Sequence, residues 1–196
     1  MLHFSYGVMG SSKSAMLLMQ HYNHVQLGHY VVLVKPAIDT RIDTSTVYSR
    51  VGLHAQADIV LSPGQSLYEQ LMWLSAQKGR NDLPYVFIDE AQFLTEEQVE
   101  EVANLALNLE IYCFGLKTDF MGNFFPGSAA LMRLAEDITE VPGGLCWCGA
   151  KATMNTRIDK DGNVIKTGDQ ILIDNQQDIR YIGLCYKHWK MGKSHA

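Results

Sequence analysis

Along the first 140 residues, short apolar runs alternate with segments whose apolar positions recur at helical spacing. Residues 2–6 form the first run and read as a strand. From residue 13 to about 27, Met16, Leu17, Met19 and Tyr22 follow a helical period that Gly28 closes. Residues 30–34 are continuously apolar, the pattern of a strand buried on both faces, and 59–61, 85–88 and 111–114 repeat it. Between these runs, 66–78 sets Leu67, Leu71 and Leu74 on one helical face. The stretch Thr95-Glu96-Glu97-Gln98 is a capping box, opening a helix whose inner face is Val99, Val102, Ala103 and Ala106. A further helix is expected over 128–135. Strands separated by helices need right-handed crossovers, so the pattern predicts an α/β domain with a mostly parallel sheet flanked by helices.

Pro142-Gly143-Gly144 breaks that rhythm. Beyond it come a strand at 153–158, a turn at Asp159-Lys160-Asp161-Gly162 and a short apolar run at 171–173, the texture of a small antiparallel unit. The expected division is therefore 1–142 and 143–196. Composition supports a packed core: of 196 residues, 47% are hydrophobic and 19% charged. The formal charge is −5, with 16 Lys and Arg against 21 Asp and Glu, which argues against a sequence-independent nucleic-acid coat. No apolar run reaches the length of a membrane-spanning helix, and residues 1–6 lack the charged start of a signal peptide. A cytoplasmic location is the expectation, and with it four cysteines that do not form a disulfide scaffold.

Three motifs carry chemistry. The first strand runs into Gly7-Val8-Met9-Gly10-Ser11-Ser12-Lys13-Ser14, close to a Walker A phosphate loop. Backbone amides and the following helix N-terminus cradle phosphates in such a loop, the lysine bridges the outer phosphates and the hydroxyl serves Mg²⁺. Ser12 occupies the place of the second glycine. If that position takes a positive φ its Cβ costs about 1 kcal/mol or more; if φ is ordinary, almost nothing. The plainer alternative is a Ser/Gly-rich turn with Ser11 or Ser12 as helix N-cap. Second, Asp89-Glu90 ends the run 85–88, where a Walker B carboxylate belongs, because ligands bind at the carboxyl ends of strands in parallel sheets. One carboxylate would serve Mg²⁺ through water and the other would accept a proton; alternatively they are two solvated acids opening a loop. Third, Cys146-Trp147-Cys148 and Cys185-Tyr186-Lys187-His188 offer three thiolates and an imidazole, a closed structural zinc set. Cys113, inside an apolar strand, reads as an ordinary buried thiol.

These three elements, in this order, resemble the type II (cytosolic and bacterial) thymidine kinases. Lys35-Pro36-Ala37-Ile38-Asp39-Thr40-Arg41, Asp89-Glu90-Ala91-Gln92-Phe93, and Gly115-Leu116-Lys117-Thr118-Asp119-Phe120 through Phe125-Pro126-Gly127-Ser128 all look like that family's segments, as do the four zinc ligands. The resemblance implies a P-loop fold with a zinc-stapled lasso and ATP-dependent phosphorylation of the thymidine 5′-hydroxyl. It implies Glu90 as general base, and Gly7, Val8, Met9, Gly10, Ser11, Ser12, Lys13, Ser14, Asp89 and Gln92 at ATP. Ser14 and Asp89 would hold Mg²⁺, and Cys146, Cys148, Cys185 and His188 the Zn²⁺. Met9, Phe93, Leu116 and Phe120 would enclose thymine, Tyr181 would belong to the loop that closes over the nucleoside, Asp39 would bind the sugar 3′-hydroxyl, and Arg41 would sit near the transferring phosphate. A homotetramer and feedback inhibition by thymidine triphosphate are also implied. One departure stands out besides Ser12: residues 174–181 carry no glycine where the family has a Gly-Gly pair.

Overall fold

A computed structural model of the chain describes residues 1–37, 45–170 and 179–195. The positions of Asp39 and Arg41, and the strand expected over 171–173, lie outside the described residues. The chain opens with strand β1 (Leu2–Tyr6), helix α1 (Lys13–Gln26) and strand β2 (Val31–Pro36). A small hairpin follows, β3 (Thr46–Tyr48) and β4 (His54–Gln56), then β5 (Ile59–Leu61) and α2 (Leu67–Gln77). Next come β6 (Tyr85–Ile88), a 3-10 turn (Ala91–Phe93), α3 (Glu96–Leu105), β7 (Ile111–Gly115), α4 (Pro126–Leu134) and β8 (Asp137–Glu140). The last part holds β9 (Met154–Ile158), β10 (Val164–Ile165), β11 (Arg180–Leu184) and α5 (Tyr186–Met191).

Six strands form one sheet in the order β5-β2-β6-β7-β1-β8, every pair parallel. Strand pleating sorts the apolar runs between its faces. Val31 and Leu33 of β2 and Phe87 of β6 meet Leu17 and Leu18 of α1 on one side. Val32, Val34, Val86 and Ile88 meet Leu67, Leu71 and Leu74 of α2 and Val99 and Val102 of α3 on the other. The continuous apolar runs thus reflect burial on both faces. The capping box at Thr95 is formed, with reciprocal bonds between Thr95 and Gln98. Glu101 of α3 in turn accepts bonds from the Leu67 amide and the Ser66 hydroxyl, fixing α2 against α3.

β9 is the middle strand of an antiparallel three-stranded sheet, β10-β9-β11. This smaller sheet leans directly on the loop after β1: a Cβ built on Gly183 of β11 would lie 3.3 Å from Val8 Cγ2. Among the described residues, no helix is long and apolar enough to cross a membrane. The β3–β4 hairpin, β8, β10, β11 and α5 were not expected from the pattern, and all are short. β8, reading Asp-Ile-Thr-Glu, is an edge strand whose first three residues are exposed, so no buried alternation betrays it.

α4 starts where it packs closely on the 3-10 turn before it. A Cβ on Gly127 would lie 2.6 to 2.9 Å from the carbonyl oxygens of Leu94, Ala91 and Gln92. Gly127→Ala must therefore push α4 away from the 3-10 turn. The expected outcome is a loss of roughly 1–3 kcal/mol in urea unfolding; an unchanged midpoint would show that the turn yields freely.

Candidate active site

The carboxyl ends of β1, β6 and β7 converge on one cleft, since strands in a parallel sheet all point the same way. β1 delivers the loop 7–14, β6 delivers Asp89 and Glu90, and β7 delivers Leu116. A cavity of about 320 Å³ opens there, lined by Met9, Gly10, Ser12, Lys13, Ser14, Asp89, Glu90 and Leu116. Its far wall is the β3–β4 hairpin, with Thr46, Tyr48, Ser49, Arg50 and Val51.

Ser12 has φ 65° and ψ 23°, the left-handed region, and serves as the backbone N-cap of α1 with no side-chain capping bond. The substitution at the second Walker glycine therefore carries strain of roughly 1–2 kcal/mol. The loop keeps its form all the same. Lys13, buried to 9% exposure, donates from Nζ to the carbonyls of Gly7 (3.1 Å) and Val8 (2.9 Å). Met9 N donates to Asn155 Oδ1 at 2.8 Å, and Asn155 Nδ2 donates to the Thr118 carbonyl at 2.7 Å. Asn155 is buried on β9, so the small sheet holds both the phosphate loop and the segment after β7.

Asp89 is 4% exposed, and the Ser14 hydroxyl lies 2.9 Å from its Oδ2 and 3.2 Å from its Oδ1. Burial lifts its carboxyl, the charge of Glu90 adds to the lift, and Ser14 and Lys13 only partly offset it, so it titrates at about 7. Glu90 has the second non-glycine positive φ in the described chain, 51°, at the entry to the 3-10 turn. Strain of that kind gathers where a side chain must be aimed. Gln92 does the aiming: its Nε2 donates to Glu90 Oε2 at 2.6 Å while its Oε1 accepts from Leu116 N at 2.9 Å.

The remaining predicted residues fall in three places. Met9 and Leu116 line the cleft, whereas Phe120 and Tyr181 sit together around Arg157 of β9. The Arg157 guanidinium stacks 3.7 Å over the Phe120 ring, and its Nε donates to the Tyr181 hydroxyl at 2.9 Å. Phe93 meets Phe125 edge-on, with ring centroids 5.8 Å apart. Arg50, Asn155 and Arg157 escaped the sequence reading. Asn155 and Arg157 lie in a strand of mixed polarity, where only the fold shows that they are 3% and 1% exposed.

The metal-ligand set also assembles. Ligand atoms of Cys146, Cys148, Cys185 and His188 all lie within 4.8 Å of one another. His188 Nδ1 is 3.3 Å from Cys146 Sγ and 3.4 Å from Cys185 Sγ, close to the roughly 3.5 Å between ligands of a tetrahedral zinc. Burial would raise the Cys146 thiol, but amide bonds from 148 and 185 and its polar neighbours bring it down to about 6, favouring the thiolate a metal needs. Trp147 stacks on the His188 ring at 4.2 Å. Cys113 is fully buried, and burial pushes its thiol up, as expected of an inert core residue.

Comparison with known proteins agrees with the geometry. A family model described as thymidine kinase matches residues 1–189. A thymidine kinase of enterobacteria phage T4 is 40% identical over 190 residues, covering 96% of this chain and 94% of its own. Thymidine kinases of Legionella pneumophila (strain Lens) and Idiomarina loihiensis are each 38% identical. The first covers 98% of this chain and 90% of its own, the second 96% and 95%.

Two outcomes follow. Ser12→Gly should relieve the left-handed strain, raising the melting temperature by up to a few degrees, about 0.5–1 kcal/mol after glycine's entropy cost. No change or a fall would place the strain elsewhere. Asp89→Asn should stabilise the metal-free protein in a pH-dependent way. The raised carboxyl means that the folded chain keeps a proton which the unfolded chain releases above its ordinary value of 3.8. Wild-type stability therefore declines as pH rises from about 4 to about 7 and is lowest beyond. The variant should melt higher at pH 8, by roughly 2–4 °C for each kcal/mol, with the gain fading towards pH 4. A pH-independent difference would contradict this.

Proposed function

The chain belongs to the thymidine kinase family, and on that footing we propose that it transfers the γ-phosphoryl group of ATP to the 5′-hydroxyl of thymidine, with Glu90 as general base. The observation that carries this reading is the pairing of a phosphate-loop hydroxyl with one carboxylate of a strand-end pair, Ser14 Oγ to Asp89 at 2.9 Å, beside a second carboxylate facing the same cleft.

The steps follow from where the groups stand. The amides of residues 7–14 and the N-terminus of α1 receive the phosphates, with Lys13 Nζ beside them. Ser14 and Asp89 are hard oxygen donors, and the two acids side by side leave negative charge that a divalent cation relieves, so they fit Mg²⁺. Bound there, Mg²⁺ would neutralise charge on the phosphate oxygens. The 5′-oxygen attacks the γ-phosphorus in line and its proton passes to the Glu90 carboxylate. The bond to the β-phosphate oxygen breaks and ADP departs. Gln92 holds Glu90 oriented through the 2.6 Å bond to Oε2. Positioning and charge stabilisation supply most of the acceleration.

Met9 and Leu116 would flank the nucleoside, with Phe93, Phe120 and Tyr181 as the apolar surround and Asp39 and Arg41 at sugar and phosphate. The contacts of Arg157 with both Phe120 and Tyr181 support an organised pocket wall. We read 143–196 as a separate unit that Zn²⁺ on Cys146, Cys148, Cys185 and His188 would staple, since so small a sheet has little core of its own. Thymidine triphosphate, carrying both the base and a triphosphate, has the groups to occupy nucleoside and phosphate positions together, which suits a feedback inhibitor. Met19, Tyr22 and Val25, exposed on α1, offer a surface for homotetramer assembly, and the location is taken as cytoplasmic.

Glu90→Gln tests the base directly, because the isosteric amide preserves shape and loses proton affinity. The turnover number should fall by roughly 10²-fold or more while thymidine affinity changes little. Turnover within a fewfold of wild type would remove Glu90 from that role.

A further inference from the structure

The hairpin wall of the cleft ends in a cation that the reaction scheme has not used. Arg50 sits at the tip of β3–β4, lines the same cavity as Lys13 and Ser14, and faces the phosphate loop. A Cβ built on Gly10 would lie 3.8 Å from Arg50 Nη1. Acids outnumber basic residues in this chain, 21 to 16, yet no hydrogen bond or ion pair to Arg50 occurs among the described residues. An unpaired guanidinium beside an anion cradle is primed for an anion: its planar fork matches two phosphate oxygens at once.

The support beneath it is stiff. Val47 of β3 is fully buried among Leu17, Leu18 and Phe87, so the hairpin is rooted in the core under α1. Lys35, at the end of β2, donates to the Thr46 carbonyl at 3.0 Å. The tip is closed by Ser49, whose Oγ accepts from Leu53 N (3.0 Å) and donates to Leu53 O (3.1 Å), and by Gly52 N donating to Ser49 O at 3.0 Å. A surface turn with no task would not need two core anchors and a doubly bonded serine to hold one exposed arginine.

We propose that Arg50 is a phosphate-contacting residue, closing on the outer phosphates of the nucleoside triphosphate from the hairpin side while the loop amides and Lys13 hold them from the other. Charge spreads over the equatorial oxygens as the phosphoryl group transfers, so a guanidinium there contributes more to turnover than to resting affinity. The proposal rests on the phosphate-cradle part of the reading above, and not on which nucleoside accepts the group.

The test compares wild type with Arg50→Ala and Arg50→Lys, using the full chain loaded with zinc. Binding of inorganic tripolyphosphate with Mg²⁺ is measured by calorimetry, and kcat and KM are measured separately for ATP and thymidine. Arg50→Ala should weaken tripolyphosphate binding and lower kcat/KM for ATP by about tenfold or more. Arg50→Lys should fall between the two, thymidine KM should move less than twofold, and the melting temperature should hold because the side chain is exposed. Tripolyphosphate binding and ATP kinetics within twofold of wild type in Arg50→Ala would overturn the proposal. So would equal losses for ATP and thymidine, which would make the hairpin merely structural. If wild type does not phosphorylate thymidine but binds tripolyphosphate through Arg50, the nucleoside reading falls and this one stands. If it phosphorylates thymidine regardless of Arg50, the reverse holds.

Discussion

Two neighbouring carboxylates at the end of one buried strand are the constraint around which this molecule is arranged. Asp89 is nearly sealed from water and sits next to Glu90, a placement that burial and like charge both oppose. The chain tolerates it by supplying local partners. Ser14 reaches over from α1, Lys13 stands nearby, and Gln92 ties Glu90 to the backbone of Leu116. The left-handed backbone at Glu90 turns the side chain out of the strand line and into the cleft. A fold selected for stability alone has no reason to keep such a pair. The proposed phosphoryl transfer would use one, with one acid at a cation and the other receiving a proton.

That arrangement depends on parts that are distant in sequence. Glu90 keeps its aim only if the 3-10 turn stays packed on α4, which requires the missing side chain at Gly127. The phosphate loop keeps its shape although Ser12 is strained. Asn155 contributes here, bridging Met9 and Thr118 from the small sheet. The Cys/His cluster is connected to this contact: β9, the strand bearing Asn155, pairs with β11, which leads directly into Cys185. Loss of order at the cysteines would be felt at the phosphate loop.

Much of this was legible in the sequence because the signals were periodic or punctuated. Buried strands announced themselves as continuous apolar runs, and the capping box at Thr95 marked a helix start that the structure keeps. The phosphate loop, the acid pair and the Cys/His set were legible as residue types at set spacings, and the fold brings each together. What escaped was of two kinds. Elements of two to six residues, such as β3, β4, β8 and α5, are too short for a period to show. Arg50, Asn155 and Arg157 matter through their neighbours, and a polar residue in a short strand looks the same whether it faces water or a buried carbonyl. Ser12 is the instructive middle case: the sequence posed the question of its φ, and only the backbone answered it, at 65°.

Transfer to the thymidine 5′-hydroxyl is tested most directly by watching the product form. Zinc-loaded protein, ATP, Mg²⁺ and thymidine are followed by phosphorus NMR, with 5′-deoxythymidine as the control lacking the acceptor hydroxyl. One thymidine 5′-monophosphate is expected for each ADP, with no transfer to the control. ADP formed without nucleotide product, phosphate appearing on the 3′-hydroxyl, or equal turnover with the control would contradict it.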